Sequence, residues 1–390
     1  MKTSGNVDAL PDSYRGREQT FIKHLILKRY LERVARNVLW SQQEFVFVDG
    51  FSGPWASQSG SYEDTSFGIA IRLLRRVREE LRSSYGYDRK VRCIFVEKGA
   101  AAFLRLSEAI KNAPYIEAWP IKGRFEDSVD EVRRRIGSAF ALISIDPKGW
   151  SFDIQKLAPL LRHRPSEVIV NFMFEHVNRF LDDKRAKIRD SYALPFGDPN
   201  WRSRFDALLK SGLDRETAVL ELFREQLRVA GQYEFVLSAR IQRPTANRSH
   251  FYLVYGTRNR KGLIEFRNVE KKAMEAEEHS RIEAKHDKRA AKSAQGLLHV
   301  YSPRSIKELR QPEINKASGW LRERLRRSGA IPYEDAMTGV LERFSITEPE
   351  LKDLLVAMCK ADQVILSGMG RLQRKPNVGV TIMPTPTIST

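Results

Sequence analysis

Cysteine is scarce: the 390 residues hold two, Cys93 and Cys359, each inside an apolar segment and neither with a Cys or His at ligand spacing. That argues against a disulfide scaffold, an iron–sulfur cluster and a zinc site, and it fits a reducing compartment. Long apolar runs are missing too. None approaches the roughly 20 residues of a membrane span, and residues 1–18 are polar and loose, without a signal-type apolar core. A soluble, cytoplasmic protein with no membrane partner is expected. Neither G-x-G-x-x-G nor G-x-x-x-x-G-K-[ST] follows the first strand-like run, which removes the dinucleotide fingerprint and the P-loop. Acid is in short supply: 49 Asp and Glu face 67 Lys and Arg, a net charge of +18. Such a surface attracts phosphate backbones or other acidic partners.

What is present is organised around Glu44-Phe45-Val46-Phe47-Val48-Asp49-Gly50-Phe51-Ser52-Gly53-Pro54. Its short, β-branched and aromatic run reads as a buried strand, and Asp49-Gly50 as a turn at its end. Gly50 and Gly53, lacking a Cβ, let the backbone approach a ligand closely. Taken alone, the stretch also fits a hairpin turn with a surface Asp49.

The neighbouring pattern favours the first reading. Helical spacing over 19–40 and 66–82 brackets this strand, with Lys23-His24 read as a solvated lysine and a helix-face histidine. A strand over 91–96 ends in Glu97, an acid placed to receive ribose hydroxyls. A helix over 100–112 and a strand over 116–122 lead to Glu126 and Asp127; either could meet an adenine amino group, and a helix N-cap explains Asp127 as well. The run 139–145 ends in Asp146-Pro147-Lys148-Gly149-Trp150, and Val168-Ile169-Val170-Asn171-Phe172 closes a fifth alternation. Five such alternations predict an α/β fold with a doubly wound, Rossmann-like sheet over 19–267. Residues 181–233 read as a helical insertion forming a lid or substrate wall, and 235–240 with 250–256 as an antiparallel pair. Arg243, Arg248 and His250 fall near its hairpin tip, where they contact nucleic acid or simply solvent; Lys148 could hold a phosphate.

Residues 268–312 are rich in Glu, Lys, Arg and Ala and read as an exposed, charged helical linker. The segment 313–390 then has helices over 314–327 and 333–344, a third opened by the Thr347–Glu350 capping box, and a glycine-turned hairpin carrying Arg371, Arg374 and Lys375. That order resembles a winged helix-turn-helix domain. Its third helix is expected to expose a mixed set, Glu348, Glu350, Lys352, Asp353 and Lys360, so weakly sequence-specific DNA contact through the basic wing is favoured, with a protein-docking winged helix as the alternative.

Asp49-Gly50-Phe51-Ser52-Gly53-Pro54, then Glu97, then Asp146-Pro147, resembles the S-adenosylmethionine-dependent methyltransferase fold. The resemblance implies that Asp49, Gly50, Phe51 and Gly53 cradle the cofactor's methionine portion, Glu97 its ribose and Glu126 or Asp127 its adenine. Asp146 and Pro147 then occupy the catalytic motif of amino-methyltransferases, with Trp150 or Phe152 as candidate stacking partners for a base. Lys23-His24, the Asp49 loop, Asp146-Pro147 with Gly149, and Val170-Asn171-Phe172 with Asn178-Arg179 further resemble the three-Cys-motif partner (TcmP) family over most of the chain. The basic surface and the winged-helix pattern make nucleic acid, DNA in the first place, one expected partner, and the likeness implies another. A separate three-cysteine protein resembling radical S-adenosylmethionine enzymes is the other, and any iron–sulfur chemistry would belong to it. The expected activity is methylation of a base amino group in DNA modification, repair or defence. Trp55 and Lys148 depart from methyltransferase patterns, and they support the alternative of a non-catalytic adaptor that presents nucleic acid to its partner.

Overall fold

The structure, a computed structural model, describes residues 9–53, 57, 62–111, 116–150, 152–246, 248–290 and 303–385, with the side chains of 286–290 left aside. After a 3-10 turn at Asp12–Tyr14, the chain runs α1 (Glu18–Ser41), β1 (Glu44–Asp49), α2 (Ser66–Tyr85), β2 (Lys90–Glu97), α3 (Ala100–Lys111) and β3 (Glu117–Lys122). It continues through α4 (Val129–Ile136), β4 (Phe140–Ile145), α5 (Ile154–Leu161) and β5 (Ser166–Phe172). Thr65 caps α2 by accepting from Gly68 N, and Gly86, at φ 69°, ends it in the left-handed conformation that glycine takes without strain.

Strands β1 to β5 pair in parallel in the order β3-β2-β1-β4-β5. Then follow α6 (Phe174–Phe180), α7 (Ala186–Ser191), α8 (Ala193–Phe196), α9 (Trp201–Lys210), α10 (Arg215–Gly231), β6 (Phe235–Gln242) and β7 (Ser249–Thr257). Strand β7 enters antiparallel between β5 and β6, giving a seven-stranded sheet β3-β2-β1-β4-β5-β7-β6. This mostly parallel sheet, flanked by helices, has a Rossmann-like topology. Its connections reverse between β1 and β4, the position where α/β sheets open a crevice at the strands' carboxyl ends.

Each strand feeds two cores because successive side chains point to opposite faces. Phe45 and Phe47 join α1, α2 and Leu106 of α3 on one side, whereas Val46 and Val48 join α4, α5 and α10 on the other. Double-sided burial explains why β1 and β4 read as continuous apolar runs. Within 181–233, α10 is no excursion from the sheet: Phe223 stacks on Phe172 of β5 with centroids 4.4 Å apart.

The expected linker is also different. Its first part continues α11 (Arg260–Ala290), and Leu263, Phe266, Val269, Ala273 and Ala276 are buried along one stripe of that helix. Small alanines allow close approach to a neighbour, so a count of large apolar residues misses this face. Residues 291–302 lie outside the described residues.

The chain ends with α12 (Ile306–Ser328), β8 (Ile331–Pro332), α13 (Tyr333–Arg343), α14 (Glu348–Lys360), β9 (Val364–Ser367) and β10 (Thr381–Pro384), the strands pairing antiparallel as β8-β10-β9. The Thr347 capping box forms as expected. Glu350, however, is not displayed: it pairs with fully buried Arg310 at 3.0 Å and with Lys271 at 2.9 Å. This segment docks on edge strand β6. Glu342 accepts from Val236 N at 3.0 Å and Arg228 Nη2 at 2.5 Å, while buried Arg267 donates to Leu341 O at 2.6 Å and Ser238 O at 3.0 Å. The contact satisfies carbonyls at the end of α13 and covers a sheet edge.

Candidate active site

Only two residues separate α1 from β1, so the chain reverses and the start of α1 lies at the carboxyl end of the sheet. That end gathers acids from three strands.

Asp49 closes β1 and is fully buried. Its Oδ1 accepts from Phe51 N at 3.0 Å and its Oδ2 from Ser66 Oγ at 2.5 Å. Burial pushes its pKa up to about 6 against the pull of both hydrogen bonds. The following loop is stitched across the crevice, Gly50 N donating to Ser144 O and Ser52 N to Val96 O, both at 3.0 Å. At Gly50 the group that approaches is the chain's own Phe125: an added Cβ would lie 2.4 Å from Phe125 Cδ1. Phe51 meets the same ring edge-on, and Gly53 is buried. Pro54 and Trp55 lie outside the described residues.

Glu97 ends β2, buried, with Oε1 accepting from Gly99 N at 2.5 Å. Glu126 is buried beside Arg124 at 3.7 Å, and Asp127 is exposed, 3.9 Å from both Arg124 and Lys156. Ser128 rather than Asp127 stands at the N-cap of α4.

Asp146 follows β4, the strand paired with β1, and Pro147 after it is buried. Lys23 Nζ donates to Asp146 Oδ2 at 2.5 Å and Asn171 Nδ2 to Oδ1 at 2.6 Å. Burial would raise the Asp146 pKa, but the Lys23 charge and these two donors hold it below the usual carboxylate range. His24 is also buried, its Nδ1 2.8 Å from the Tyr14 hydroxyl, and burial beside Lys23 pushes its pKa down to about 3. Lys23 is not solvated as expected, and His24 lies on the buried face of α1. The signal that α1 starts at the site is its short connection to β1; the partner of Lys23 lies 123 residues away.

Lys23, His24, Ser66, Ser144, Asp146 and Asn171 line one cavity of about 20 Å³. Asn171 Oδ1 is buried without a hydrogen-bond partner among the described residues. Lys148 is exposed next to this group.

The expected stacking partners divide. Phe152 belongs to the core against Phe223, whereas half-buried Trp150 stacks on Tyr192 at 5.3 Å and donates to Ser191 Oγ at 3.1 Å. Arg243 and Arg248 are not simply presented to solvent: with His250 they converge on Glu175 of α6, at 2.8 Å for Arg243 Nε, 3.1 Å for Arg248 Nη2 and 2.7 Å for His250 Nδ1. Burial raises the Glu175 pKa, but Arg243 and His250 outweigh it and lower it. In the hairpin of the C-terminal segment Arg371 and Arg374 are exposed, and Lys375 pairs with Asp353. These basic groups are not brought to the acids at the strand ends by any contact among the described residues.

No family model matches the chain, and no curated protein matches it. Among solved structures it is similar to protein LPL1258 from Legionella pneumophila, of family model DUF519, with 9% identity over 62% of this chain and 86% of that one, TM-score 0.35. It is also similar to a DUF574 family protein from Streptomyces avermitilis, with 12% identity over 65% and 94%, TM-score 0.33. A loganic acid methyltransferase with SAH gives 10% identity over 69% and 84%, TM-score 0.29. Among the described residues, no helix is long and apolar enough to cross a membrane, and no group of three or more His, Cys, Asp or Glu side chains could hold a metal ion.

Proposed function

We propose that this chain is an S-adenosylmethionine-dependent methyltransferase acting on an amino group of a nucleobase, alongside a three-cysteine radical-SAM-like partner. The observation that carries the reading is the pair of acids, Asp49 and Asp146, on the two strands flanking the sheet's reversal point, with Glu97 ending the next strand. Asp49, Glu97 and Glu126 are buried acceptors whose chemistry suits the cofactor's polar groups. Asp49 would hold its ammonium end, Glu97 its ribose hydroxyls and Glu126 its adenine, with the Phe51–Gly53 backbone between them. When bound, the cofactor supplies an electrophilic methyl group.

Asp146 would then receive an N–H of the target amine. Each of its oxygens already accepts one hydrogen bond and has a lone pair left for another, so Lys23 need not leave. Holding the amine in place supplies the proximity term; the surplus N–H proton passes toward Asp146 and solvent. The C-terminal helices and three-stranded sheet fit a winged helix whose exposed Arg371 and Arg374 meet phosphate, DNA in the first place.

A second reading, a non-catalytic adaptor, is favoured by one observation: Phe125 packs on Gly50, where a ligand was expected. Calorimetric titration with S-adenosylmethionine and S-adenosylhomocysteine separates the two. Binding by the wild type, weakened at least tenfold by Asp49→Asn and by Glu97→Gln, is expected; no binding by the folded wild type, alone and with its partner, selects the adaptor.

A further inference from the structure

Asn171 is a buried amide with one half used. Its Nδ2 is committed to the Asp146 carboxylate at 2.6 Å and also lies 3.4 Å from Met173 Sδ. Turning the amide over would set oxygen against oxygen, so Oδ1 is the end left over. Among the described residues that oxygen has no hydrogen-bond partner, and Asn171 is only 5% exposed. A buried acceptor without a donor is costly, and such atoms mark places where something else binds.

The space beside it limits what that is. The cavity that Asn171 shares with Asp146, Lys23, Ser66 and Ser144 measures about 20 Å³, room for one water-sized group. An exocyclic amino nitrogen fits this space, while the ring that bears it stays outside.

We infer that Asn171 is a substrate-contacting residue: its Oδ1 accepts one N–H of the incoming amino group while Asp146 accepts the other. This rests on the amino-methyltransferase reading above and deepens it, because two acceptors demand two hydrogens on one atom. A primary amine has them; a hydroxyl has one and a carbonyl has none. Lys23 adds the complementary requirement. Its ammonium, fixed on Asp146, favours an acceptor atom beside the amine, so a ring edge offering an amine next to an unprotonated nitrogen, as in cytosine or adenine, suits the site. Holding both hydrogens also fixes the plane of the amino group, and with it the two faces on which the nitrogen lone pair is available.

The test measures binding, not turnover. Wild type, Asn171→Leu and Asn171→Asp, with S-adenosylhomocysteine present, are titrated by fluorescence anisotropy with short single-stranded oligonucleotides containing one cytosine or, in its place, one uracil. A parallel pair carries adenine or hypoxanthine. The wild type is expected to prefer the amino-bearing member of at least one pair by about tenfold, and Asn171→Leu, which keeps the branching at Cγ but carries no acceptor, to lose that preference. Asn171→Asp sets a second carboxyl beside Asp146, and such a pair holds one proton between its members. Its protonated form donates to Asp146 and keeps an acceptor, so the preference returns as the pH is lowered. A preference that survives Asn171→Leu overturns the inference, the orphan oxygen then serving a structural water. Equal binding of both members of each pair by a wild type that holds S-adenosylhomocysteine overturns it too, and leaves the cofactor reading standing. A folded wild type that binds neither S-adenosylhomocysteine nor oligonucleotide overturns both.

Discussion

Lys23 Nζ lies 2.5 Å from Asp146 Oδ2, joining the first helix of the chain to the acid at the end of β4. Both side chains are less than one-third exposed, at 18% and 28%, so the pair is only partly screened by water. It keeps Asp146 ionised in a place where burial alone would not.

Lys23→Met is therefore expected to destabilise the fold by about 1–3 kcal/mol at neutral pH, the range for a lost charged hydrogen bond. The Asp146 pKa is depressed in the folded state, so the stability it contributes is present above the usual carboxylate value of about 4 and is lost as the pH falls through the folded value. Urea unfolding of both chains at pH 7 and pH 3 checks this. The gap should narrow at the acid end; a gap of constant size assigns the loss to packing of the lysine stem.

Asp49 behaves in the opposite sense. Its folded pKa of about 6 stands above the unfolded value, so the folded state binds the proton more tightly and loses stability as the pH climbs through that window. At about 1.36 kcal/mol per unit, the loss is roughly 3 kcal/mol by pH 8. Asp49→Asn retains an acceptor for Phe51 N and a partner for Ser66. In the absence of ligand it should be the more stable protein above about pH 6 and equal to wild type near pH 4. A difference that does not vary with pH would show that the carboxylate charge is not its source.

Gly50 and Phe125 are mutually dependent. Gly50→Ala places a methyl group inside the ring of Phe125, with an expected cost of about 1–3 kcal/mol. Because the two residues are in contact, Phe125→Leu in the same chain should recover part of that cost, a coupling that a double-mutant cycle in urea measures. Strictly additive losses would mean that the loop moves instead of the ring.

If the exposed wing arginines meet phosphate, Arg371→Ala with Arg374→Ala should lower the slope of log affinity against log salt by about 2, since each lost contact to duplex DNA removes about 0.9. Fluorescence anisotropy over 50–200 mM salt reads this. An unchanged slope would move the phosphate contact elsewhere on the basic surface.

Much of the fold was legible along the chain. Alternating apolar runs and helical stripes placed β1 to β5 and the helices α2 and α3 to within a few residues, because burial on both faces forces continuous Val, Ile and Phe runs, whereas no bounds were legible for the short α4 and α5. Acids at the ends of β1, β2 and β4 were legible for the same reason: a strand's last residue has only the sheet edge to face. The packed face of α11 was not, since its alanines carry little hydrophobic signal and matter only once a neighbour is close.

By itself, then, the sequence determined the periodicities, the strand-end acids, the glycine turn after Asp49, the capping box at Thr347 and the surplus of positive charge, all of which are local properties of the chain. Tertiary structure alone decided the partners. It set Lys23 and Asn171 on Asp146, Phe125 on Gly50, Glu175 under Arg243, Arg248 and His250, and Arg267 on the end of α13. These contacts join residues far apart in sequence through directional hydrogen bonds and steric fit, neither of which leaves a repeat in the chain to be read.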